Sequence, residues 1–239
     1  AVGLIDFVTD AGRKIGLFGG RAAADAEAAK EAALAAAALA KTASDAAAKE
    51  NLHRQMVAAD LKAAILSYVA VDGLTVTFDG QTATVGGTAH AQADKEKAVL
   101  VAGNTEGVAR VDDRLAVVVP EPPAVYHTVV KGDTLSLIAG RYYGVIGLYD
   151  GIFVANQPML RSPDEIYPGQ VLRIPPTRPP VHTVAKGETL GTIAKHWYGD
   201  AKQFTRIATA NGIADPNKID LGQKLTIPLV DPKVSPPTA

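Results

Sequence analysis

Apolar residues Leu4, Ile5, Val8, Ala11, Ile15 and Phe18 recur at helical spacing and stop at Gly19-Gly20, which predicts an N-terminal amphipathic helix over residues 1–20. Its polar side mixes acids with Arg13, Lys14 and Arg21, so the apolar stripe suits a neighbouring domain better than a membrane surface. From 21 to 50 the pattern fades, and more than half of the residues are Ala, separated by Asp, Glu and Lys. Ala has the highest helix propensity, and Glu27 with Lys30 and Asp45 with Lys49 lie one turn apart, so a long solvated helix is predicted. Leu34, Leu39 and Leu52 are too few large apolar groups for a core. The segment reads as an Ala-rich helical spacer or as a helix that docks a protein partner.

Between residues 51 and 119 the pattern becomes that of a packed domain. AADLKAAILSYVA sets Leu61, Ile65, Leu66 and Val69 on one side of a helix, and LTVTFDGQTATVGGTA alternates as two strands around an Asp79-Gly80 turn. AQADKEKAVLVAGNTEG is a second helix ended by Gly103, and VARVDDRLAVVV is a third strand. The order α-β-β-α-β predicts a two-layer sandwich with both helices on one sheet face. PEPP at Pro120 to Pro123, PPTRPP at Pro175 to Pro180 and VSPPTA at the end read as semi-rigid, extended spacers. They set off two further domains, at 125–176 and 180–229, and a Pro-rich tail at 230–239.

These two domains are copies. YHTVVKGDTLSLIAGRYYG returns as VHTVAKGETLGTIAKHWYG, with His127 on His182, Gly144 on Gly199 and Asn156 on Asn211. The first copy carries two extra residues within QPMLRSPDEIY before Gly169-Gln170 meets Gly222-Gln223. Each reads β-α-α-β. Gly132 and Gly187 suit a turn with positive φ, Asp133 and Glu188 suit a helix start with its exposed N–H groups, and Leu135, Ile138, Leu190 and Ile193 form an apolar helix face. Trp197, in HWYG near a helix end, suits partial burial or an exposed aromatic platform.

A length of 239 residues fits two or three small domains. The net charge of -1 and pI of 6.6 argue against nucleic-acid binding, which needs a basic stripe. With no Cys there is neither a disulfide framework nor a thiolate metal site. No apolar run reaches the roughly 18 residues of a membrane span. Asp6 and Asp10 interrupt what an export signal would need, so the expected location is cytoplasmic, with periplasm or cell wall as the alternative if a leader precedes Ala1. The five His are scattered, and HExxH, GxSxG and GxxxxGK[ST] are missing. No catalytic residues are expected.

TATVGGTA and GNTEGVARVDD resemble the BON domain, a non-enzymatic module that binds ligands, lipids or partners. KGDTL and KGETL, ANQ and ANG, and GQVLRIP and GQKLTIP resemble the LysM domain, twice. The LysM resemblance implies binding of N-acetylglucosamine chains such as peptidoglycan in a shallow groove. In the first copy that groove would comprise Gly132, Asp133, Thr134, Leu135, Asn156, Ile166, Tyr167 and Pro168. In the second it would comprise Gly187, Glu188, Thr189, Leu190, Asn211, Gly212, Ile213, Asp220 and Leu221.

The whole chain, through GLIDFVTDAG and especially SPDEIYPGQVLRIP, resembles the bacterial potassium-binding proteins of BON-LysM architecture. It departs from them in the Ala-rich stretch and in the second LysM copy. The resemblance implies a potassium ion as ligand, held by backbone carbonyls of Val8, Ala11, Gly103, Thr105 and Val108, with Asp10 as a further member. A weakly hydrated monovalent cation suits neutral carbonyl oxygens, and helix C-termini present these with partial negative charge. The implied function is non-enzymatic potassium binding or sensing, with peptidoglycan binding by tandem LysM domains as the alternative.

Overall fold

A computed structural model describes residues 3–6 and 45–230. It falls into two compact units, one of residues 1–131 with 167–173, the other of residues 132–166 with 174–239.

The first unit contains β1 (Gly3–Asp6), α1 (Asp45–Tyr68), β2 (Val71–Phe78), β3 (Thr82–Ala91), α2 (Gln92–Gly103) and β4 (Arg110–Val119). Its sheet runs β1-β4-β3-β2. Helix α1 packs on β2, α2 packs on β3 and β4, and the two helices touch each other, giving the two-layer sandwich that the α-β-β-α-β pattern predicts. The β2–β3 turn closes on the side chain of Asp79, whose Oδ1 accepts from the backbone N–H of Gln81 at 2.8 Å and of Thr82 at 2.6 Å. Those N–H groups, Thr82 first, hold the Asp79 carboxyl below its ordinary pKa. The GG of TATVGGTA also has a steric reason. A Cβ on Gly87, whose φ is +138°, would sit 2.9 Å from the carbonyl oxygen of Asp72, where the β2–β3 register shifts.

Two expectations need correction here. Gly3–Asp6 is a strand rather than the start of the 1–20 helix, paired antiparallel with β4. The unpaired edge of β4 offers backbone partners that no helical stripe reveals. The remainder of that helix, and the spacer up to residue 44, lie outside the described residues. At its far end, the segment assigned to the spacer overlaps α1, which starts at Asp45. Composition changes near residue 50, but nothing between 45 and 55 breaks a helix. Leu61 and Ile65 of α1 and Val69 just past its end are buried at i, i+4 and i+8, whereas Leu66 is 50% exposed.

Helix α2 is unusual in having Val99, Leu100, Val101 and Ala102 all at 0% exposure. A helix buried all round must be covered on more than one side. Besides the sheet, it touches β5 (Val125–Thr128) and β6 (Val171–Ile174), which pair with each other. Buried Glu96 of α2 accepts from Arg173 Nε at 2.6 Å through Oε2, and from Ala124 N–H and Gln92 Nε2 at 2.8 Å each through Oε1. Burial and the charge of Glu96 raise the phenol pKa of Tyr126, whose hydroxyl donates to the Glu96 carbonyl.

The second unit contains α3 (Leu135–Tyr143), a 3-10 turn (Ile146–Leu148) and α4 (Tyr149–Ala155). It continues with β7 (Val181–Thr183), α5 (Leu190–Tyr198), a second 3-10 turn (Ala201–Gln203), α6 (Phe204–Ala210) and β8 (Lys224–Thr226). Strands β7 and β8 pair antiparallel, with His182 opposite Leu225. Both longer helices start on a threonine and stop on a left-handed glycine. Thr134 Oγ1 accepts from Leu137 N–H, Thr189 and Thr192 form a reciprocal capping box, and Gly144 and Gly199 have φ of +67° and +79°. The caps are therefore the threonines, and Asp133 and Glu188 stand one residue ahead of them. Ring atoms of Trp197 lie where a Cβ on Gly147 would meet them at 2.8 Å. The indole N–H donates to His182 Nδ1 at 3.3 Å. Trp197 is thus half-buried.

Candidate functional site

Three of the six expected ion ligands, Gly103, Thr105 and Val108, fall in the single turn that joins α2 to β4. The helix ends because its last carbonyls are taken up within the turn. Leu100 accepts from Asn104 N–H at 3.0 Å, Val101 from Thr105 Oγ1 at 2.9 Å, and Ala102 from Thr105 N–H at 3.3 Å. Val108 N–H then donates to the Thr105 carbonyl at 3.2 Å, and Gly107 takes a φ of +86° to close the loop. Gly103, Asn104 and Val108 are buried and Thr105 is half-buried, while Glu106 and Gly107 face solvent. This puts backbone carbonyls of a helix C-terminus, where the helix dipole leaves partial negative charge, into a mostly dry turn. Such neutral oxygens suit a large monovalent cation better than a divalent one, which gathers carboxylates. Among the described residues, no three His, Cys, Asp or Glu side chains group as metal ligands.

Val8, Asp10 and Ala11 lie outside the described residues. The strand before them is placed, however. In the β1–β4 register Gly3 faces Asp113 and Asp6 faces Arg110, so the chain leaves β1 at the end of β4 that the 103–108 turn feeds.

Sequence reasoning passed over the side chain between two of these residues. Asn104 is 3% exposed. Its Nδ2 donates to the Val171 carbonyl and its Oδ1 accepts from Val171 N–H, both at 2.9 Å. The resemblance points to backbone carbonyls, and an Asn after a helix-ending Gly looks like an ordinary cap.

The loops expected to bind glycan are ordered by their own hydrogen bonds. In the second copy Gly222 N–H donates to the Val184 carbonyl, and Val184 N–H to the Gln223 carbonyl, at 2.9 Å each. The 220–223 loop therefore lies beside the turn that starts at Val184. Gly187, Thr189, Gly212, Asp220 and Leu221 face solvent, Leu221 at 72% exposure, and Glu188 and Ile213 are half-buried. Glu188 Oε2 sits 2.7 Å from Ala185 N and 2.7 Å from His182 Nε2, and these contacts hold its carboxyl below the ordinary 4.5. Leu190 is core. Asn211 spends its amide on Ile207 and on both backbone groups of Thr226.

In the first copy Gly132 and Thr134 are exposed, Leu135 and Asn156 are buried, and Asp133 pairs with Arg141 at 3.2 Å. Asn156 donates to the Ile152 carbonyl at 2.7 Å. Ile166 is half-buried in the second unit; Tyr167 and Pro168, exposed, belong to the first.

Residues 44–119 match the BON domain family, and residues 127–175 and 182–228 each match the LysM domain family. The potassium binding protein Kbp of Escherichia coli O6:H1 is 47% identical over 104 residues, which are 44% of this chain and 70% of Kbp. Esterase Rv1288 of Mycobacterium tuberculosis is 44% identical over 107 residues, 44% of this chain but 22% of the esterase. LysM domain-containing GPI-anchored protein 2 of Arabidopsis thaliana is 34% identical over 86 residues, covering 31% of this chain and 25% of that protein.

Proposed function

From a chain that belongs to the BON-LysM family of potassium-binding proteins, we propose that this protein is a non-enzymatic potassium binder and sensor. The ion would be held by backbone carbonyls of the α2–β4 turn together with those of the segment that follows β1. The observation that supports the reading is the β1–β4 register, which sets Asp6, where β1 ends, opposite Arg110, just past the turn carrying Gly103, Thr105 and Val108. One ion bound by both segments would fasten β1 to the sheet. A cytoplasmic location fits such a role, and among the described residues no helix is long and apolar enough to cross a membrane.

A ligand present at 100 times its Kd stabilises the folded state by about 2.7 kcal/mol. For a chain of this size that is roughly 5–10 °C in Tm. Melts in KCl and in NaCl at equal ionic strength test the proposal, with the rise confined to potassium. Equal shifts in the two salts would refute it.

A second reading, glycan binding, is favoured by the second LysM copy. Its two loops are tied side by side through Val184, and they leave Leu221 and the backbone of Gly187 and Gly212 open to a sugar face and its N-acetyl groups. Retention on purified sacculi should fall when Leu221 is replaced by Asp. An intact protein that passes through unretained removes this reading.

A further inference from the structure

We propose that Asn104 is a positioning residue that couples ion occupancy of the α2–β4 turn to the docking of β6; this rests on the potassium reading above. Its side chain does for Val171 what a neighbouring strand would do, since one amide plane donates to the carbonyl and accepts from the N–H of the same residue, at 2.9 Å each. The second LysM copy uses the same device. There Asn211, at the end of α6, clamps both backbone groups of Thr226 in β8 at 2.8 Å. In that copy the clamp closes a single small domain. At Asn104 it instead joins a BON helix to a LysM strand, across 67 residues of sequence.

The position of Asn104 gives the clamp a second consequence. Its nitrogen shares a peptide plane with the Gly103 carbonyl, and its own carbonyl carbon leads into Thr105. With φ of -85° and ψ of 3° it stands in the sparsely populated bridge region, so its side-chain anchor holds the backbone of the turn as well. A shift of β6 turns the Asn104 backbone and, with it, the direction of the Gly103 carbonyl. Conversely, an ion that fixes the turn holds the amide against Val171. Glu96 with Arg173 fastens the same strand two residues further on, which sets the register in which Asn104 and Val171 meet. Coupling between two sites is reciprocal. Potassium must therefore protect the Val171 amide as much as the clamp raises potassium affinity.

The test uses the full chain, labelled with nitrogen-15. Amide exchange at Val171 is measured by NMR in KCl and in NaCl, and potassium affinity is titrated on the Thr105 and Val108 amide shifts of the wild type and of Asn104→Ala. Potassium, but not sodium, should slow Val171 exchange about tenfold, and Asn104→Ala should weaken potassium affinity by about the same factor, within the usual range of coupling. Val171 exchange that is the same in both salts overturns the coupling, as does wild-type affinity in Asn104→Ala. Should that variant not fold, the exchange measured on the wild type decides alone. Absence of any potassium-dependent shift at Thr105 and Val108 in the wild type overturns the potassium reading and the coupling with it.

Discussion

Replacing Arg173 by Met should destabilise the first unit by about 3–5 kcal/mol. The substitution keeps the volume of the stem and removes the cation. Glu96 and Arg173 side chains are 4% and 9% exposed and meet at 2.6 Å, so water cannot replace the lost partner without opening the contact between α2 and β6. The carboxylate would keep only the Ala124 N–H and the Gln92 amide, too few donors for a buried charge. Glu96→Gln should also destabilise, because the buried guanidinium then faces a neutral amide in place of a carboxylate. The double variant Glu96→Gln with Arg173→Met carries no buried charge, and its amide oxygen still accepts from Ala124. It should lie within about 2 kcal/mol of the wild type, since uncharged replacements of a buried pair are often near neutral. Urea unfolding followed by circular dichroism on the four proteins gives the cycle. If Arg173→Met costs less than about 1 kcal/mol, or if the two single costs add within about 0.5 kcal/mol, the pair is effectively solvated and the reasoning fails.

Two further outcomes concern the second unit. Gly147→Ala would place a methyl 2.8 Å from the Trp197 ring. It should cost about 1–3 kcal/mol by overpacking and shift the emission of the single Trp; an unchanged melt and spectrum would show that the indole is free to move aside. The Glu188 carboxyl is held below its ordinary 4.5, first by the Ala185 N–H and then by His182. A folded pKa below the unfolded one means that the stabilisation is present above about pH 4.5 and is lost as pH falls through the lower folded value. Glu188→Gln should flatten that acid slope in Tm measured between roughly pH 5 and 3, and an identical slope in both proteins would contradict the assignment.

Much of the local structure was legible because its causes are local. The spacing of Leu61, Ile65 and Val69 marks α1, Asp79-Gly80 marks a tight turn, and positive φ at Gly132 and Gly187 is what their turns require. The duplication showed directly in the repeated string. Even here the reading slipped by a residue, because Asp133 and Glu188 looked like helix starters while the hydroxyls of Thr134 and Thr189 make the caps. Within the expected glycan set, the fold spends Leu190 on the core and Asn211 on a clamp, and no motif distinguishes a loop residue that faces solvent from one that the fold consumes.

The sequence by itself determined the class of fold and the order of domains, since periodicity, turn chemistry and repetition act over a few residues. Tertiary structure alone decided that Gly3–Asp6 is a strand on the β4 edge, that β3 and β4 run parallel, and that Glu96 and Asn104 face Arg173 and Val171. In the sequence these four residues are an acid on a charged helix, an amide after a glycine, and two positions in a strand 77 and 67 residues away. What pairs them is that α2 is covered on a second side by β5 and β6. A polar group buried by so distant a segment must find its partner there, and no local pattern records which segment that will be.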